Sequence, residues 1–162
     1  MSESTLTAIE SAMQPLAAEF GLKVTQRSAS RGYAEVSYAN DTTGLNVAVD
    51  WFEFRPFVHV HQRRSGDTAT ALAGYEGSML SFDADDLLQL REASPSPVGK
   101  MISTRDDVAA GRLLAQYADA LCRYAADVMR GDFTVFPELE RRVEARAATM
   151  KPHAEGLHDD RL

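Results

Sequence analysis

Two histidines two residues apart, His59 and His61, are the sharpest chemical feature of the chain. On a β-strand, alternate residues share a face, so both imidazoles would point the same way, as a strand presents two metal ligands. If the Glu53–Pro56 turn closes so that Phe52 faces Phe57, Asp50 falls opposite His59. Asp50, His59 and His61 would then be a two-histidine, one-carboxylate metal site, or a base with its orienting acid. The alternative is a solvated sheet face with one cross-strand charge pair. No motif spacing fixes a third ligand, so the solvated reading takes precedence and no cofactor is expected.

A second candidate is electrostatic. Between Glu76 and Glu92 stand five acids, Glu76, Asp83, Asp85, Asp86 and Glu92, opposed only by Arg91. The first helix adds Glu3, Glu10 and Glu19 with no basic residue. A one-sided acidic surface can steer and dock a basic protein partner, and Glu76, Asp83, Asp85 and Asp86 are the residues expected to do it. The competing role is solubility alone.

Other reactive residues carry less. Cys122 falls beside an apolar helical stripe and reads as a buried thiol, with no histidine near it in sequence. His153, His158, Asp159 and Asp160 fall in a polar C-terminal stretch. Tyr117 and Tyr124 lie two turns apart on a long helix, where core packing is the expected role. There is no glycine-rich phosphate loop.

The 162 residues fit one domain, 1–150, with 151–162 expected to be a disordered tail. A net charge of -7 disfavours nucleic acid and anionic membranes, which need surplus Lys and Arg. One cysteine excludes an intrachain disulfide and fits a cytoplasmic setting. The N-terminus has no signal-peptide pattern, and no apolar run is long enough to span a bilayer.

The elements that must position these groups follow from periodicity. Leu6, Ile9, Met13, Leu16, Ala17 and Phe20 form one helical stripe, capped at Ser4 or Thr5 and stopped at Gly21. Four alternating runs follow, 22–28, 33–38, 45–52 and 57–63, with a fifth at 75–82. They predict an antiparallel meander. Its apolar face would carry Leu22, Val24, Ala34, Val36, Tyr38, Leu45, Val47, Val49, Trp51, Val58 and Val60. Its open face would carry Lys23, Thr25, Arg27, Glu35, Ser37, Asn46, Asp50, His59, His61 and Arg63, with Phe52 and Phe57 at one end. Asp83 caps a short helix. Ser103 opens a long one that ends at Gly131, and Pro137 starts a short last helix. The fold class is therefore α+β: an N-terminal helix, a four- or five-stranded meander, and C-terminal helices packed on one sheet face.

The last third adds a resemblance. Arg130-Gly131-Asp132-Phe133 and Phe136-Pro137-Glu138-Leu139-Glu140, behind a long helix, resemble the ending of small bacterial α+β proteins. Some of these are regarded as immunity proteins, which neutralise toxins by binding them. The resemblance implies a non-catalytic cytoplasmic binding protein with a protein partner, a toxin in its most concrete form. Two readings stand beside it: a metal-binding protein or small enzyme using Asp50, His59 and His61, and a chaperone-like or dimeric adaptor using the sheet face at Phe52 and Phe57.

Overall fold

A computed structural model describes residues 2–63 and 80–155. Helix α1 (Ser2–Phe20) leads into β1 (Lys23–Ser30), β2 (Tyr33–Ala39), β3 (Thr43–Asp50), β4 (Arg55–Gln62) and β5 (Ser81–Asp83). Helices α2 (Ala84–Leu90), α3 (Asp107–Tyr124), α4 (Ala126–Met129) and α5 (Phe136–Glu155) complete the chain. The strands form one antiparallel sheet in the order β1-β2-β3-β4-β5. This is the expected α+β architecture with five strands. Of the expected fifth run, 75–79 lie outside the described residues.

The apolar face is buried as the alternation demands, from Leu22 through Val60, and α1 and α3 cover it. Leu6, Ile9, Met13 and Leu16 of α1 meet Ala110, Leu114, Tyr117 and Leu121 of α3 within that core. Gly111 faces Ala8, so the two helices approach closely. Val24 is the exception, at 45% exposure. Strand β1 is an edge, and a bulge between Val24 and Gln26 shifts its register. A bulge puts two residues opposite one and reverses the alternation beyond it. Arg27 therefore faces α1 instead of the second sheet face. It pairs there with Glu3 at 2.7 Å and Glu10 at 2.8 Å. Glu19 lies 3.8 Å from Arg130. The three acids of α1 are thus each met by an arginine, so the helix is not the free acidic face that its sequence suggests.

The second face is open only along β1 and is closed over its middle strands. Ser37, Ala39, Asn46, Ala48 and His61 on it are all buried. His61 lies directly against Gly44, whose missing Cβ leaves the space its ring occupies.

Helix ends follow local chemistry. Gly21 takes φ +63, and Leu22 N–H donates to the Ala17 carbonyl at 3.0 Å. Gly131 takes φ +97, and Asp132 N–H donates to the Asp127 carbonyl at 2.9 Å. Both are six-to-one closures around a left-handed glycine. Asp106, not Ser103, caps α3, accepting from Val108 N–H at 2.9 Å. The helix breaks at Ala125 and resumes as α4, so the single long helix is two. The last helix is 20 residues long and reaches Glu155, past the expected start of a loose tail at 151. Residues 156–162 lie outside the described residues.

Candidate functional site

Helix α2 is short, and its start is defined by one side chain. Asp83 Oδ1 accepts the Asp85 N–H at 2.9 Å, the usual N-cap geometry. This places Asp85 and Asp86 in the first turn, where the helix dipole favours negative charge. Ala84, Leu87 and Leu88 go into the core. The acids then turn into a cleft of about 730 Å³ between α2, the β3–β4 turn, the 98–101 loop, α3 and α5.

The cleft holds both signs of charge. Glu53, Asp83, Asp85 and Asp86 line it together with Arg55, Lys100 and Arg146. Asp86 is 5% exposed, and Arg146 clamps it through two bonds of 2.8 and 3.0 Å. A buried carboxylate needs such a partner, because desolvation is costly for an unpaired charge. Tyr117 donates its hydroxyl to Asp85 Oδ1 at 2.6 Å. Burial raises the Asp85 carboxyl above the ordinary aspartate value, and the Tyr117 bond opposes part of that rise. Tyr117 itself is pushed upward, by burial first and then by its bond to Asp85. Lys100 Nζ donates to Gln116 Oε1 at 2.8 Å, and the Arg55 guanidinium lies 4.4 Å over the Phe57 ring.

The acids are therefore in a cleft and partly committed, where the sequence suggested a projecting acidic surface. Asp83 is engaged at α2, Asp85 by Tyr117 and Asp86 by Arg146. Glu76 lies outside the described residues. Sequence reading did not associate Arg55, Lys100, Met101 or Arg146 with these acids. Asp86 and Arg146 are 60 residues apart. One signal for Arg146 existed: Leu139, Val143 and Arg146 share a helical face, so the arginine continues the inward stripe of α5.

A prediction follows for Asp85. Its folded pKa is raised, so the folded state binds more protons than the unfolded state between 3.8 and that raised value. Stability from this group falls as pH rises through that window. Asp85→Asn keeps an acceptor for Tyr117 and removes the buried charge. Its urea midpoint should equal or exceed that of the parent at neutral pH, and the difference should vanish below pH 3.8. Asp127 behaves oppositely. The Arg91 guanidinium, 2.8 Å away, lowers its pKa, so its contribution is lost as pH falls.

The histidine–aspartate trio is not brought together. Register pairs Asp50 with Arg55, and His59 with Asn46 on one side and Asp83 on the other. The β3–β4 connection is 51–54, two residues earlier than the 53–56 turn that a Phe52–Phe57 pairing requires. Asp50 instead closes that turn, accepting from Phe52 N–H at 2.8 Å and Glu53 N–H at 3.2 Å. Among the described residues no group of three His, Cys, Asp or Glu could hold a metal ion. Cys122 is half-buried, and burial raises its thiol, which keeps it protonated. No helix among the described residues is long and apolar enough to cross a membrane.

The turn that Asp50 holds also presents an apolar rim beside the cleft. Phe52 is 70% exposed, Phe54 38% and Met101 64%. Phe52 rests on Gly32, where a Cβ would collide with its ring. Phe54 adopts φ +52, a left-handed conformation that is strained for an aromatic residue. Ile102 N–H donates to the Phe54 carbonyl at 2.8 Å and ties the Met101 loop to this turn. No family model, curated protein or solved structure matches this chain.

Proposed function

We propose that this chain is a non-catalytic protein-binding module, and most concretely an immunity protein that neutralises a toxin in the cytoplasm. The observation that carries the reading is the exposed rim of Phe52, Phe54 and Met101 set against a charged cleft. Aromatic residues, methionine and arginine are the types enriched where proteins bury surface on one another. Strain in a turn, here at Phe54, is characteristic of functional positions. The rim supplies apolar anchors. The cleft supplies Asp83 and Asp85 for a partner's basic side chain, and Arg55 and Lys100 for an acidic one. Paired charges of this kind fix register and exclude wrong partners. The partner is a protein whose surface carries an apolar patch beside a basic group. Binding there would neutralise it by occlusion. The C-terminal resemblance to immunity proteins supports the same reading.

The test is titration of the purified chain with the product of the neighbouring gene, followed by a toxicity rescue assay. Phe52→Ser combined with Met101→Ser should weaken the complex by at least about tenfold, as loss of interface anchors does. Both side chains are exposed, so the melting temperature should not move. Undiminished binding by this double variant would overturn the site. A dimer that the same substitutions dissociate would favour the adaptor reading instead.

A further inference from the structure

A second pocket lies at the same end of the sheet as the acidic cleft, on the β1–β2 side of the 51–54 turn. It has a volume of about 320 Å³ and is lined by Thr5, residues 30–34, Trp51 and Arg105. That volume sits near the lower end for small-molecule sites, roughly 300–1,000 Å³. Two arginines reach it from separate elements: Arg31 from the β1–β2 turn, and Arg105 from the loop before α3. Among the described residues neither guanidinium has a carboxylate partner, whereas Arg27, Arg91, Arg123, Arg130 and Arg146 all do.

The neighbouring acids are already engaged. Asp107 accepts from the Ser4 hydroxyl at 2.6 Å and the Thr5 hydroxyl at 2.7 Å. Asp106 caps α3 through Val108 N–H. Glu35 accepts from the Tyr33 hydroxyl at 2.6 Å, and Asp50 holds the β3–β4 turn. These acids keep their charge but accept from neutral donors, and among the described residues neither guanidinium makes a direct ion pair. The pocket's wall is Trp51, which is 5% exposed and donates its indole N–H to Thr5 Oγ1 at 3.4 Å.

We infer that this pocket binds a small oxyanion-bearing molecule between Arg31 and Arg105, with Trp51 against its body. Guanidinium groups match carboxylate and phosphate oxygens bidentately. An apolar wall with a few convergent polar groups is the usual composition of a small-ligand site. The pocket borders the Phe52 rim, since Phe52 rests on Gly32, but its two arginines are not among the residues assigned to protein binding.

Trp51 is the chain's single tryptophan, so its fluorescence reports on this pocket alone. The full chain is titrated with inorganic phosphate and with benzoate, against sodium chloride at matched ionic strength. A saturable change with phosphate only assigns a phosphate-bearing ligand. Saturation with benzoate only assigns a carboxylate. Arg31→Ala and Arg105→Ala should each weaken binding about tenfold, as expected for loss of a charge-assisted contact. Arg112→Ala, an exposed arginine on α3 lining a different groove, should leave it unchanged. Two results overturn the inference: neither anion saturates beyond the chloride control, or the Arg31 and Arg105 variants bind as well as the parent at an unchanged melting temperature.

Discussion

Asn40→Ala is expected to lower stability by about 3 kcal/mol, because one amide holds three elements together. Asn40 Nδ2 donates to the Phe20 carbonyl and to the Met129 carbonyl, each at 3.0 Å. These carbonyls belong to the ends of α1 and α4, where helical partners run out. Its Oδ1 accepts from Thr42 N–H at 3.0 Å and Thr43 N–H at 2.8 Å, closing the β2–β3 turn. Alanine leaves all four groups to find other partners. For a domain of this size, 3 kcal/mol corresponds to a fall in melting temperature of about 6–12 °C. Asn40→Asp separates the two halves of the network. It keeps the acceptor for the turn and sets an anion against two carbonyl oxygens. It should therefore destabilise at least as much as alanine in thermal unfolding at neutral pH. Near-parental stability of Asn40→Asp would show that the helix-end bonds contribute little.

Leu121→Ala should cost about 3 kcal/mol through the cavity it leaves, within the usual range for a fully buried leucine. Leu121 is inaccessible to solvent and belongs to the core cluster shared by α1, α3 and the sheet. The neighbouring Cys122 is only half-buried. Cys122→Ala should change stability by about 1 kcal/mol or less. Urea unfolding of the pair, at equal m-value, checks the contrast. Equal effects would mean that the α3 face is assigned wrongly.

Arg146 shows how the second half of α5 is held. Residues 144–150 are exposed, and the pair with Asp86 is the bond that returns this part of the helix to the cleft. Asp86 is almost fully desolvated while Arg146 is largely exposed. The arginine therefore serves mainly to neutralise a buried acid. Asn40 ties the ends of α1 and α4 to the β2–β3 turn, and Arg146 ties α5 to α2, each through polar groups.

Periodicity alone was enough to show the α+β class, the meander, the apolar sheet face and the amphipathic stripes of α1 and α3. Those features are local, since a two-residue or 3.6-residue repeat sets which side chains share a face. It also marked Asp83, Asp85 and Asp86 as one group, since they are adjacent in the chain. Tertiary structure decided everything that depends on register or on distant partners. One bulged residue sent Arg27 to α1 and ended the case for a free acidic helix. A turn two residues earlier than expected put His59 opposite Asn46 and Asp50 opposite Arg55, so the aspartate does not meet the histidines. Arg55, Lys100 and Arg146 came to the acids from three separate elements and turned a negative run into a mixed-charge cleft. The physical reason is the same each time. Sequence spacing sets the direction of a side chain within its own element, while the charges that face it are chosen by how the elements pack.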